Sequence, residues 1–166
     1  MTELKRKILI IDDETSILET FSIFFESINI NTDCAATFKE GLIKIDENYY
    51  DVIITDYRLD DKTGLDVLNY VKNKNLLTPV ILMTAYSTID TATKAIKLGI
   101  YDYLIKPINF DVLSTIVDRA IEKHELQKEI KSLKKESDIP YIIGKSPQIK
   151  VITDMINRVA STDVNV

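Results

Sequence analysis

The chain has 166 residues, and 21 basic against 26 acidic side chains give it a net charge of −5 at neutral pH. That balance argues against a strongly basic protein that coats nucleic acid, although local basic patches stay open. With 45% apolar residues and only four Gly and four Pro, the chain is neither disordered nor collagen-like, and one sizeable core plus an appendage is expected.

A single cysteine, Cys34, rules out an internal disulfide, and no Cys/His cluster has metal-ligand spacing, so a reducing compartment is expected. The first apolar run, Ile8 to Ile11, is too short for a signal-peptide core or a membrane span. The expectation is a soluble, cytoplasmic protein.

The first 110 residues alternate short β-branched runs with helix-period stretches, the signature of an α/β fold whose parallel sheet is covered by helices on both faces. The strands are expected at Lys7–Asp12, Thr32–Ala35, Asp51–Thr55, Pro79–Met83 and Tyr101–Ile105. The first, third and fourth are almost continuously apolar, as strands buried on both faces are. Between the first two, Ile17, Leu18, Phe21, Phe24, Phe25 and Ile28 recur at helical spacing and lay one wide apolar stripe along a helix. A second helix is expected from about Phe38 to Ile45 and a third from Gly64 to Lys74. The fourth runs from Thr88 to Leu98, with Ser87 or Thr88 as its N-cap and Gly99 as its stop.

From Phe110 a last helix docks through Leu113, Ile116, Val117, Ala120 and Ile121, then runs on through charged residues to Glu136. Leu126, Ile130 and Leu133 follow one another at four- and three-residue steps, which fits either a short coiled-coil seam or a solvated linker helix. The divisions expected are a first domain over 1–121, a linker helix over 122–137 and the beginning of something new over 138–166.

In an open parallel sheet, ligands gather outside the carboxyl ends of the strands. Here those ends carry Asp12 and Asp13, Asp56, Thr84 and Ala85, and Lys106 and Pro107. If the first and third strands are neighbours, three carboxylates meet and repel one another unless a cation neutralises them or one stays protonated. Oxygen donors without His or Cys suit Mg²⁺. Lys106 and the Thr84 hydroxyl match the oxygens of a phosphoryl group, and Asp56 is the candidate to accept it as an acyl phosphate. Each element has a plainer alternative. Asp-Asp-Glu after a strand is often a charge cluster at a helix N-terminus, and Lys-Pro is often a turn.

Taken together, these strand ends resemble the response-regulator receiver domain over about residues 5–121. The matches are the acidic pair Asp12-Asp13, the phosphoacceptor Asp56, the switch hydroxyl Thr84, the switch aromatic Tyr103, Lys106, and Gly64 eight residues after Asp56. The resemblance implies a flavodoxin-like doubly wound five-stranded parallel sheet of order 2-1-3-4-5 with five helices. It also implies Mg²⁺ held by Asp13, Asp56 and the backbone carbonyl of Arg58, with Asp12 acting through water, and a cis Lys106–Pro107 peptide. Two positions depart from the family habit: Asp60 stands where Pro is usual and Thr63 where Asp is frequent.

Thr84-Ala-Tyr-Ser-Thr-Ile-Asp-Thr-Ala and Gly99-Ile-Tyr-Asp-Tyr-Leu-Ile-Lys-Pro further resemble the NtrC-type activators of sigma-54 RNA polymerase, and the stretch from Tyr141 to Ala160 resembles the opening of their AAA+ ATPase domain. The chain reaches Val166 before any Walker A loop, so it is expected to be truncated there. Gly144-Lys145-Ser146 is not a P-loop, because Ile139 stands where the pattern needs Gly.

The function implied is transfer of phosphoryl from a sensor histidine kinase to Asp56, with no enzymatic turnover beyond the receiver's own phosphorylation and dephosphorylation. A change of homodimer arrangement would follow, through the face of the fourth helix, fifth strand and fifth helix and through the linker helix. No direct nucleic-acid contact by this part and no membrane are expected. The alternatives are a docking module that works without phosphorylation and an aspartyl-phosphate hydrolase. The second is disfavoured because such hydrolases end their first strand in Asp-x-Asp. His124 is expected to be a solvated surface histidine, Cys34 an inert buried thiol, and Tyr49 and Tyr50 cover for the sheet edge.

Overall fold

The computed structural model describes residues 6–59, 62–85 and 89–137. The chain divides into two units, Met1–Glu129 and Ile130–Val166. Only the helical residues 130–137 of the second are described, so the expectation of a new segment over 138–166 lies outside the described residues, as do the candidate N-caps Ser87 and Thr88.

Strands and helices alternate except where β3, β4 and β5 follow one another. They are β1 (Lys7–Ile11), α1 (Thr15–Ser27), β2 (Asn31–Ala35), α2 (Phe38–Glu47), β3 (Val52–Asp56), β4 (Arg58–Leu59), β5 (Lys62–Thr63), α3 (Gly64–Asn73), β6 (Val80–Thr84), α4 (Ile89–Lys97), β7 (Asp102–Ile105) and α5 (Phe110–Ser137). β4 and β5 pair only with each other, as a small antiparallel hairpin that the sequence pattern did not announce. The main sheet runs β2-β1-β3-β6-β7, all parallel. Counted without the hairpin strands, that is the expected order 2-1-3-4-5, and the flavodoxin-like fold is what the chain adopts.

Alternation along the strands divides the core in two. Ile8 and Ile10 of β1 face α1 and α5, packing with Phe21, Phe25, Val117 and Ile121. Leu9 and Ile11 face the other way, with Ile11 against Gly41 of α2, in the layer that also holds Leu65, Leu68 and Val71 of α3 and Ala95 of α4. Successive side chains of a strand point to opposite faces, so a continuously apolar strand fills both layers. Each fully buried Ile or Leu contributes on the order of 2 kcal/mol.

Three expectations need correction. Tyr49 and Tyr50 do not form one cover: Tyr50 is buried and donates to Asp33 Oδ2 at 2.6 Å, whereas Tyr49 is exposed. Cys34 is half-buried rather than sealed, with Sγ 3.4 Å from Ser22 Oγ. His124 is not solvated at all, being 2% exposed, because α5 keeps one side on the domain a full turn beyond Ile121. Among the described residues, no helix is long and apolar enough to cross a membrane.

Candidate functional site

The site lies at the carboxyl edge of the sheet and is built by the register. Ile11 of β1 sits beside Thr55 of β3, Asp56 beside Met83 of β6, and Thr84 beside Ile105 of β7. The residues that follow, or end, these strands therefore emerge side by side. Asp12 leaves β1, Asp56 closes β3, Thr84 closes β6 and Lys106 follows β7. The backbone N–H of Lys106 donates to the Thr84 carbonyl at 2.8 Å, which makes the lysine the last rung of the β6–β7 ladder. The Lys106–Pro107 peptide is cis, as the resemblance implied.

Lys106 gathers the acids. Its Nζ lies 2.8 Å from Asp12 Oδ2, 2.8 Å from Asp56 Oδ1 and 3.5 Å from Glu14 Oε1. Asp12 is wholly buried, and its second oxygen accepts from the Glu14 backbone N–H at 3.0 Å. Burial pushes the Asp12 carboxyl above its ordinary pKa, and the hydrogen bonds from Lys106 and from the Glu14 N–H pull it back without cancelling the rise. Burial works against the Lys106 ammonium, but hydrogen bonds to Asp12 and Asp56 outweigh it and raise the lysine above its ordinary value. The lysine is thus a permanent cation.

Asp56 is held from the other side as well. Its Oδ2 accepts the Arg58 backbone N–H at 2.7 Å, at the start of the β4–β5 hairpin. Gly64 packs so closely behind β3 that a Cβ there would stand 2.5 Å from the Asp56 carbonyl oxygen and 2.4 Å from Leu82 Cδ2. Thr63 then starts α3, its N–H and its hydroxyl both donating to Asp66 Oδ2 at 2.8 Å. The departure from the frequent Asp at that position is thereby a capping residue, suited to a helix start.

A cleft of about 320 Å³ opens above these groups, lined by Asp13, Glu14, Asp56, Arg58, Thr84, Ala85 and Lys106. The structure thus brings Asp13, Asp56, Arg58, Thr84 and Lys106 to one opening, with Asp12 buried beneath Lys106. The expected convergence of three carboxylates is looser than the sequence suggested. Asp12 and Asp56 turn toward Lys106, and among the described residues no three acidic side chains are spaced to enclose an ion by themselves. The donor set still fits Mg²⁺, which takes one or two carboxylates and completes its octahedron with carbonyls, waters and phosphate oxygens.

Tyr103, on β7 beside Leu82, has its hydroxyl enclosed next to the Thr84 side chain without completing a hydrogen bond of ordinary geometry. Burial raises its phenol above the ordinary value. The sequence reading gave Glu14 no part in the site and named it only within the alternative of a charge cluster at a helix N-terminus. Its carboxylate makes no capping bond to α1, and the signal was its place two residues after Asp12.

Residues 8–118 match the family model described as the response regulator receiver domain. The chain is 37% identical over 133 residues to the regulatory protein AtoC of Escherichia coli K12, covering 80% of this chain and 29% of that protein. It is 30% identical over 162 residues to the response regulator protein PilR of Pseudomonas aeruginosa, covering 98% of this chain and 35% of PilR. The chain thus spans about a third of the length of the curated relatives it matches. Among solved structures, a response regulator receiver domain protein from Clostridium thermocellum superposes with a TM-score of 0.70 at 34% identity, over 74% of this chain and 98% of that one. The beryllofluoride-activated NtrC4 receiver domain dimer superposes with a TM-score of 0.68 at 32% identity, over 71% of this chain and 98% of that one.

Proposed function

The chain belongs to the response regulator receiver domain family, and on that premise we propose that it accepts a phosphoryl group on Asp56 from the phosphohistidine of a sensor kinase. The observation that carries the proposal is the setting of the Asp56 carboxylate. It opens into a polar cleft, with one oxygen on the Lys106 ammonium and the other on the Arg58 N–H, and Thr84 lines the same cleft.

In the transfer, the P–N bond of the donor breaks as a P–O bond forms to an Asp56 oxygen, leaving neutral imidazole after proton uptake and an acyl phosphate. Lys106 exchanges its Asp56 contact for a phosphoryl oxygen and stabilises the charge there. Asp13, Asp56 and the Arg58 backbone carbonyl would hold Mg²⁺, with Asp12 acting through water, and the bound ion would supply further charge neutralisation. Asp12 holds Lys106 from below, so the ammonium does not drift when Asp56 is esterified.

Thr84 then turns its hydroxyl to the phosphoryl group. Tyr103 follows through their shared packing and remodels the surface of α4, β7 and α5. That surface exposes Ile96, Ile105 and Val112 and suits pairing with a second copy. The exposed Leu126, Ile130 and Leu133 of α5 would extend the pairing along the linker helix. Within a longer protein of the NtrC type, this rearrangement would control an AAA+ activator of sigma-54 RNA polymerase.

The test is labelling by a phosphorylated kinase or by acetyl phosphate with Mg²⁺. Asp56→Asn is expected to abolish the label, and undiminished labelling ends the reading. A wild-type chain that takes neither label nor beryllofluoride in the presence of Mg²⁺ is instead a docking module.

A further inference from the structure

We propose that His124, Tyr49 and the Asp51 backbone form a clasp that fixes where α5 leaves the domain and which side it turns to solvent. His124 is a buried titratable side chain with no part in the phosphoacceptor site, and it lies on α5 beyond the last core contact, Ile121. Its Nδ1 is 2.9 Å from the Asp51 carbonyl oxygen, and its Nε2 is 3.1 Å from the Tyr49 hydroxyl. A carbonyl only accepts, so the contact to Asp51 has Nδ1–H donating. The Tyr49 hydroxyl is also 3.5 Å from Nδ1, so it lies over the face of the imidazole and not in its plane. The Tyr49 ring also stacks on the imidazole, with centroids 5.8 Å apart and planes 24° from parallel.

One turn further on, Lys128 closes the same lock from above. Its Nζ sits 4.0 Å over the Tyr49 ring and 3.5 Å from Asp51 Oδ1. The other Asp51 oxygen accepts the Lys7 backbone N–H at 2.9 Å, so the clasp is tied to the first residue of β1. Apolar packing does not replace these contacts. Beside His124, a cavity of about 250 Å³ lined by Val71, Leu76, Pro79 and Ala120 separates the helix from the chain leading into β6. Beyond Ile121, the described contacts of α5 include this clasp and Lys123 over the Tyr101 ring at 5.2 Å.

The clasp also sets a phase. At about 100° per residue, Leu126 stands roughly 200° around the helix from His124, so seating His124 inward turns Leu126 outward. It is 54% exposed. A clasped helix presents that side chain to a partner in one orientation, whereas an unclasped one is free to turn and fray.

Amide hydrogen exchange on the full chain tests this without reference to phosphorylation. His124→Ala is expected to accelerate exchange at residues 123–129 on the order of tenfold, and Tyr49→Ala, which removes the stacked ring of an exposed side chain, on the order of threefold, with the β1 amides unchanged. His124→Asn, which keeps an N–H toward the Asp51 carbonyl, should fall between wild type and His124→Ala. Unaltered exchange at 123–129 in Tyr49→Ala and His124→Ala overturns the proposal. Equal acceleration in β1 does so too, since it would mean general loss of stability. Should His124→Ala not fold, Tyr49→Ala decides alone.

Discussion

Lys106 is the residue on which the site turns, because a single ammonium balances a wholly buried carboxylate and an open one. Two consequences follow at this scale. Asp12 has its pKa raised by burial, so its contribution to stability is complete below the ordinary carboxylate range and is lost as pH climbs through the elevated value. At pH 7 the fold therefore carries a charge it would be more stable without. Asp12→Asn is expected to stabilise the chain at pH 7 by about 1 kcal/mol, since Lys106 keeps Asp56 as counter-ion. In urea unfolding the gain should shrink toward pH 4, and a gain independent of pH would contradict the assignment. Lys106→Met is expected to destabilise by roughly 3 kcal/mol at neutral pH, because it leaves Asp12 buried and unpaired. Its cost should lessen in acid as Asp12 takes up a proton.

At the scale of elements, α3 is seated by two neighbouring residues with different tasks. Thr63 caps the helix through Asp66, and Gly64 lets the helix approach the backbone of the phosphoacceptor strand. Thr63→Ala should cost about 1 kcal/mol in equilibrium unfolding and leave phosphorylation unaltered. Gly64→Ala should cost about 2 kcal/mol and also slow labelling of Asp56, since the added methyl meets the Asp56 carbonyl oxygen and neither β3 nor Leu82 has room to retreat. Parallel loss of both properties in the glycine variant, set against loss of stability alone in the threonine variant, is the pattern that checks this division.

For the whole molecule, the phosphoacceptor lies at the carboxyl edge of the sheet. The His124 clasp reaches Tyr49 and Asp51, just before β3 begins, and so sits at the amino edge. Binding that is confined to the folded state stabilises it by mass action, so beryllofluoride with Mg²⁺ at a hundred times its dissociation constant should add about 2.7 kcal/mol. In thermal unfolding that gain should vanish in Asp56→Asn and persist in Tyr49→Ala. Sedimentation with the phosphate mimic should give more dimer than without it, and Leu126→Asp should weaken the pairing.

The sequence by itself determined the alternation of strands and helices, the two-sided burial of the central strands and the residues at their carboxyl ends. Apolar periodicity and strand termination are local properties, and the shared chain order of Asp12, Asp56, Thr84 and Lys106 survives any uncertainty in element boundaries. The tertiary structure alone decided how these groups apportion charge. The β1–β3 neighbourhood puts Asp12 and Asp56 on one ammonium, while Asp13 lines the cleft apart from that cluster. It alone showed what His124 meets: by position the residue continues the stripe of Val117, Ala120 and Ile121, but its partners, Tyr49 and Asp51, lie more than seventy residues earlier in the chain. The β4–β5 hairpin was equally hidden, since two-residue strands are too short for alternation to show. Contacts between distant segments leave no local pattern, and burial is a property of the packed chain.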